Sequence, residues 1–115
     1  MITLVSAIEM IREAEYQHVG DKSYFSEEGV LDVKALLEFD RCFQSIPSDT
    51  YDAVILSCKD LINVNGRGFG DVFFDKNKRF PDGCFIITSQ ILAVKQLFSE
   101  IYRVKTKNST YLVIM

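Results

Sequence analysis

Acid–base and nucleophilic chemistry at neutral pH usually needs a histidine or an activated hydroxyl or thiol. This chain offers few. Its one histidine, His18, has no partner implied by sequence and is expected near the end of the first helix, where the helix dipole favours an exposed cation. Thr88-Ser89 follows a strand but lacks the Gly-x-Ser-x-Gly elbow. Asp71, Asp75 and Asp82 lie close enough in sequence to suggest a cation site. Phe73-Phe74 interrupts them, and their spacing matches no calcium loop. Gly66-Arg67-Gly68-Phe69-Gly70 invites comparison with a phosphate loop. It lacks the following Lys-Ser/Thr and places its third glycine one position too early for Gly-x-Gly-x-x-Gly. A bulged strand connection is the simpler expectation. The expectation is therefore a protein that is not an enzyme, with no cofactor and no metal.

Cations interleaved with aromatics are the stronger signal. Arg67, Lys76, Lys78, Arg79, Arg103, Lys105 and Lys107 alternate with Phe69, Phe73, Phe74, Phe80, Tyr102 and Tyr111. From these, the candidate binding surface is Arg67, Phe69, Lys78, Arg79, Arg103, Lys105 and Lys107. Curved sheets bearing such side chains can stack bases and attract phosphate. Against that, the Phe residues sit in apolar runs that suit a core, and the net charge is −3. Residues 1–65 hold 12 Asp/Glu against 5 Lys/Arg, whereas residues 66–115 hold 4 against 8. The acidic half offers a rival surface, one that would steer towards a basic partner.

The elements that would position these residues follow from periodicity and punctuation. Ser6-Ala7-Ile8-Glu9 matches a capping box, and Leu4, Ile8, Ile11 and Ala14 continue at helical spacing, which predicts a helix over 6–18. Residues 19–29 read as a loop. A second helix is expected over 32–45, capped by Asp32, with Val33, Leu36, Leu37, Phe39 and Phe43 apolar. Residues 50–58 fit either a helix or a buried strand, and the reading leans to helix. Short strands are expected at 61–64, 71–74 and 84–88, the last after a Phe80-Pro81-Asp82-Gly83 turn. Residues 91–97 either prolong that strand or form a helical turn. A hairpin is expected from 101–106 and 110–114. In its first arm Tyr102, Val104 and Thr106 alternate with Arg103, Lys105 and Lys107, giving one buried and one cationic face.

Helices first and strands afterwards define an α+β domain over 1–115, with 1–58 mainly helical and 59–115 mainly β. Its architecture is expected to be two or three N-terminal helices packed on a small, curved antiparallel C-terminal sheet or open barrel. An uncovered sheet edge would allow a homodimer by strand addition. No apolar run approaches the ~20 residues needed to cross a bilayer, and the first residues lack the basic start of a secretory signal. The three cysteines, Cys42, Cys58 and Cys84, have apolar neighbours and no metal-ligand spacing. They are read as small buried hydrophobes in the cytoplasm.

Arg79-Phe80-Pro81-Asp82-Gly83, followed by Phe85-Ile86, Thr88-Ser89 and Ile91, resembles a pattern in short uncharacterised proteins of phages and prophages. Val104, Thr106, Asn108-Ser109 and Tyr111 resemble the end of such proteins. The resemblance covers residues 64–114 and departs at Cys84, where the pattern has Thr, and in the insert from Gln96 to Glu100. It implies a mobile-element origin, where small acidic proteins often bind and block a host protein, and it transfers no site residues. The motif also has a structural explanation, in which Pro-Asp-Gly sets a turn and the hydroxyl pairs satisfy backbone groups. The functional expectation is a non-enzymatic protein-binding module, a phage-encoded inhibitor of a host protein. The alternative is a nucleic-acid-binding module using the basic, aromatic-bearing β face.

Overall fold

The computed structural model describes residues 2–19, 22–57 and 63–115. The chain forms two compact units, Met1–Ile46 and Pro47–Met115. Among the described residues, three α-helices precede a closed five-stranded barrel, an α+β arrangement. β structure in the second unit begins before residue 58, because residues 53–57 are a strand.

In the first unit, α1 (Leu4–Glu15) starts two residues before Ser6. Thr3 carries a hydroxyl at the same three-residue offset. It accepts the Ser6 amide at 3.1 Å, so Thr3 is the cap and Ser6 is already inside the helix. The helix also stops early. Tyr16–Val19 and Lys22–Phe25 pair as an antiparallel hairpin, β1 and β2. His18 therefore lies in a strand opposite Ser23, and the helix-terminus argument for it does not apply. The 19–29 loop expectation is corrected with it: two four-residue aromatic-bearing runs separated by Gly20-Asp21 carry a hairpin signature. At the hairpin base Tyr16 opposes Phe25, their rings edge to face at 4.9 Å, and the Arg12 guanidinium lies 5.9 and 5.7 Å from the two ring centres.

Helix α2 (Glu27–Phe39) begins five residues before Asp32. The Ser26 hydroxyl accepts the Gly29 amide at 3.1 Å, and Glu27 and Glu28 occupy the first turn, where the dipole favours acids. A break at Asp40 divides the expected single helix. The Asp40 carboxylate caps α3 (Arg41–Ser45) by accepting the Phe43 amide at 2.8 Å. Ile8, Val33, Leu37 and Phe43 are buried, whereas Phe39 is 87% exposed and Cys42 is exposed. The expectation of a buried Cys42 is therefore corrected. Cys84 is half-buried, and Cys58 lies outside the described residues.

The second unit opens with a 3-10 turn at Ser48–Thr50 and continues as β3 (Ala53–Ser57), β4 (Arg67–Phe73), β5 (Cys84–Phe98), β6 (Ile101–Thr106) and β7 (Thr110–Ile114). β3 corrects the helical reading of 50–58. Its residues are buried on both faces, so they show no two-residue alternation and only their β-branched content marks a strand. The strand expected at 61–64 does not include Asn63 or Val64, and its first two residues lie outside the described ones. β5 runs on through residues 91–97, pairing first with β4 and then with β6.

The barrel is closed, and it is mixed where a purely antiparallel sheet was expected. Consecutive strands alternate in direction, so with five of them the first and last point the same way and closure must be parallel. β3 and β7 pair in parallel from Ala53–Tyr111 to Leu56–Ile114. Asp52 starts this ladder: its amide donates to the Thr110 carbonyl at 2.7 Å and its carboxylate accepts the Thr110 amide at 2.8 Å. Each barrel strand has two neighbours, so these strands offer no free edge for strand addition. The interior holds Ala53, Ile55, Val72, Ile86, Ile91, Val104, Tyr111 and Val113. Gly70 permits closure on the β3 side, since a Cβ there would collide with the Leu56 carbonyl oxygen.

Candidate functional site: one end and one wall of the barrel

The motif residues gather at one end of the barrel. The loop joining β4 to β5 is organised by the buried Asp75 carboxylate. It accepts the amides of Asn77, Arg79 and Phe80 at 3.3, 2.8 and 3.2 Å, and the Arg79 guanidinium reaches it at 3.2 Å. Burial alone would raise the Asp75 pKa. Hydrogen bonds from the Arg79 side chain and from the Arg79 and Asn77 amides outweigh burial and hold it below its ordinary value. Arg79 also donates to the Ser109 hydroxyl at 2.7 Å in the β6–β7 turn and lies 5.4 Å from the Phe80 ring centre. In the same loop Asp82 accepts the Phe74 amide at 2.8 Å, and Gly83 takes φ 87° in a turn closed from Cys84 to Pro81 at 3.1 Å.

The hydroxyl pairs act likewise. Thr88 accepts the Gly68 amide at 2.9 Å, and Ser89 accepts the Asn108 amide at 3.2 Å. Thr106 accepts the Ser109 amide at 3.1 Å and donates to its carbonyl at 2.8 Å. The motif thus ties the β4–β5 loop, the β5 bend and the β6–β7 turn together. An open pocket lined by Phe74, Asp75, Lys78, Phe80, Pro81 and Asp82 sits at this loop, with both of its carboxylates occupied by backbone amides. Asp71 is fully buried on β4, opposite Leu56 of β3.

The remaining candidate residues meet on the outer wall of β4, β5 and β6. Strand register puts Arg67 opposite Gln90 and Phe69 opposite Ile87, with a bulge between them formed at Thr88-Ser89, as the glycine run suggested. The Lys107 amide donates to the Gln90 carbonyl at 3.1 Å, so Arg67 on β4, Gln90 on β5 and Lys107 just past the end of β6 form one row. Further along, Lys105 opposes Ala93, and Arg103 opposes Lys95. The alternation expected for 102–107 holds over 104–107, where Val104 and Thr106 are buried and Lys105 and Lys107 exposed, whereas Tyr102 is half-buried. Arg103 is half-buried and donates to the Thr50 hydroxyl at 3.0 Å.

Of the seven candidates, Arg67, Phe69, Lys105 and Lys107 share this wall openly and Arg103 borders it. Arg79 is engaged in the barrel end. Lys78 is exposed in the β4–β5 loop at φ 52°. Sequence reading missed Phe85, Ile87 and Lys95. Phe85 is 47% exposed and Ile87 61% exposed, and the Phe69 and Phe85 rings lie 6.4 Å apart. The run 84–88 is apolar at every position but the last, so it does not reveal which alternate members face outward. Among the described residues, Arg67, Lys95, Lys105 and Lys107 form no ion pair, and the exposed outer positions of β4–β6 include no carboxylate.

Helices followed by a closed barrel, with the motif residues joining the barrel's turns, define a small α+β barrel protein. Within that class the chain belongs to the family of a short phage protein. It is 40% identical over 96 residues to the "Uncharacterized 12.8 kDa protein in cd-pseT intergenic region" of Enterobacteria phage T4, covering 84% of this chain and 85% of that one. The resemblance to short phage proteins is thereby borne out. No family model and no solved structure matches the chain. Among the described residues, no helix is long and apolar enough to cross a membrane, and no group of three or more His, Cys, Asp or Glu is arranged to hold a metal ion.

Proposed function

We propose that this phage protein is a non-enzymatic protein-binding module that docks a host or phage protein, as an inhibitor would, through the open wall of its barrel in the cytoplasm. The observation that carries this reading is the exposure of Phe85 and Ile87 beside Phe69, on strands whose backbone is already paired on both sides. Apolar side chains clustered in the open are a mark of interaction surfaces. The test is recovery of a stoichiometric partner on the tagged full chain in the bacterial host. Recovery is expected to be lost in Ile87→Asp, with circular dichroism and Tm unchanged. A chain that recovers no stoichiometric partner refutes the reading.

A second reading, nucleic-acid binding, draws on the row of cations along the same wall. Gel shifts with single- and double-stranded probes test it, and Arg103→Glu plus Lys105→Glu should abolish any shift. No shift at low salt removes this reading.

A further inference from the structure

Building on the protein-docking reading, we infer that the partner presents an acidic amphipathic segment: apolar side chains against Phe69, Phe85 and Ile87, and carboxylates towards Arg67, Lys105 and Lys107. The two halves of this surface adjoin. Phe69 and Ile87 oppose each other, and the next row along the same strands is Arg67, Gln90 and Lys107. With strands about 4.8 Å apart, the two cations flank the row roughly 10 Å from each other, a span that one short peptide segment covers.

Charge complementarity names the partner's sign. Lys95 stands directly opposite Arg103, a like-charge pairing that weakens a sheet in isolation. Lys105 and Lys107 continue the same charge with no carboxylate on the exposed positions beside them. An anionic partner relieves this repulsion.

A polypeptide fits the surface better than a polynucleotide. Bases stack on open aromatic faces. Here the Phe69 and Phe85 rings are tilted 40° to one another at 6.4 Å, so they present no common plane on which successive bases would stack. The most exposed apolar member is the aliphatic Ile87. The chain's net charge of −3 also opposes long polyanions at a distance, whereas a segment with a few carboxylates meets only the local cations.

The test places a photo-crosslinking amino acid at Gln90 of the full chain, expressed in the bacterial host, with a control at Glu38. The crosslinked segment is identified by mass spectrometry. The expected adduct is a protein segment carrying several Asp or Glu among apolar residues. Its yield should fall by at least about tenfold in Arg67→Glu/Lys107→Glu, and should fall as salt is raised. Should the reversal variant unfold, Arg67→Gln/Lys107→Gln with the same salt series replaces it. A neutral or basic segment, or a yield indifferent to charge, overturns the acidic-partner inference and leaves protein docking standing. An adduct with nucleic acid, or none above the Glu38 control, overturns both.

Discussion

The Arg79 guanidinium commits its donors to Asp75 and Ser109, and that commitment sets what each residue in the barrel-end loop contributes. Asp75 titrates below its ordinary range in the folded state, so the unfolded chain binds its proton more readily. Its contribution to stability is complete above the unfolded value of about 3.9 and is lost as pH falls through the lower folded value. Urea unfolding from neutral pH to about pH 2.5 should show this acid limb, and Asp75→Asn should lower stability at pH 7 and flatten it. An unchanged limb in the variant would place the titration elsewhere. Removing the guanidinium instead, in Arg79→Met, leaves a buried carboxylate short of donors and should cost about 1–3 kcal/mol. Lys78, by contrast, holds φ 52°, a conformation glycine adopts freely. Lys78→Gly should therefore raise stability by up to about 1 kcal/mol in the same urea series, showing that this lysine is not needed for the fold. Sequence reading grouped Lys78, Arg79 and the strand cations alike because composition records charge and not the partner that neutralises it. Arg79 differs from Lys107 only through an aspartate four residues back and a serine thirty residues on.

Strands were legible where one face is wet. From Val104 in β6 to Lys107 just past it, buried and exposed positions alternate as the residue types do, whereas Tyr102 and Arg103 are both half-buried. In β3 both faces are buried, the alternation vanishes, and helix and strand become indistinguishable by period. The hairpin β1–β2 was hidden because Tyr16 to Val19 also extend the spacing of α1. The open wall was half legible. Arg67, Phe69, Lys105 and Lys107 declare themselves by type, but only cross-strand register places Phe85, Ile87 and Lys95 beside them. Gly70 marks how tightly these strands close. With the Leu56 carbonyl in the way of any Cβ, Gly70→Ala should cost about 1–3 kcal/mol or more in denaturant unfolding. A cost below about half a kcal/mol would mean that β3 and β4 separate easily.

At the scale of the whole chain, the charge asymmetry visible in the sequence largely follows the division into units. Residues 1–46 carry 9 acidic and 4 basic side chains, and residues 47–115 carry 7 and 9. The cations of the second unit border its apolar patch, so two copies repel each other where their patches would meet. In sedimentation velocity the protein should be a monomer at low ionic strength and should self-associate as salt is raised. Association that weakens with salt would contradict this account of the wall. The parallel pairing of β3 with β7 has an engineering consequence as well. Because both strands run the same way, the entry of one and the exit of the other stand at opposite ends of the barrel. A circular permutant of the second unit alone, Pro47–Met115, cannot join them with a tight reverse turn. Its linker must travel the length of a strand, about 17 Å for five residues, before the rearranged chain can close.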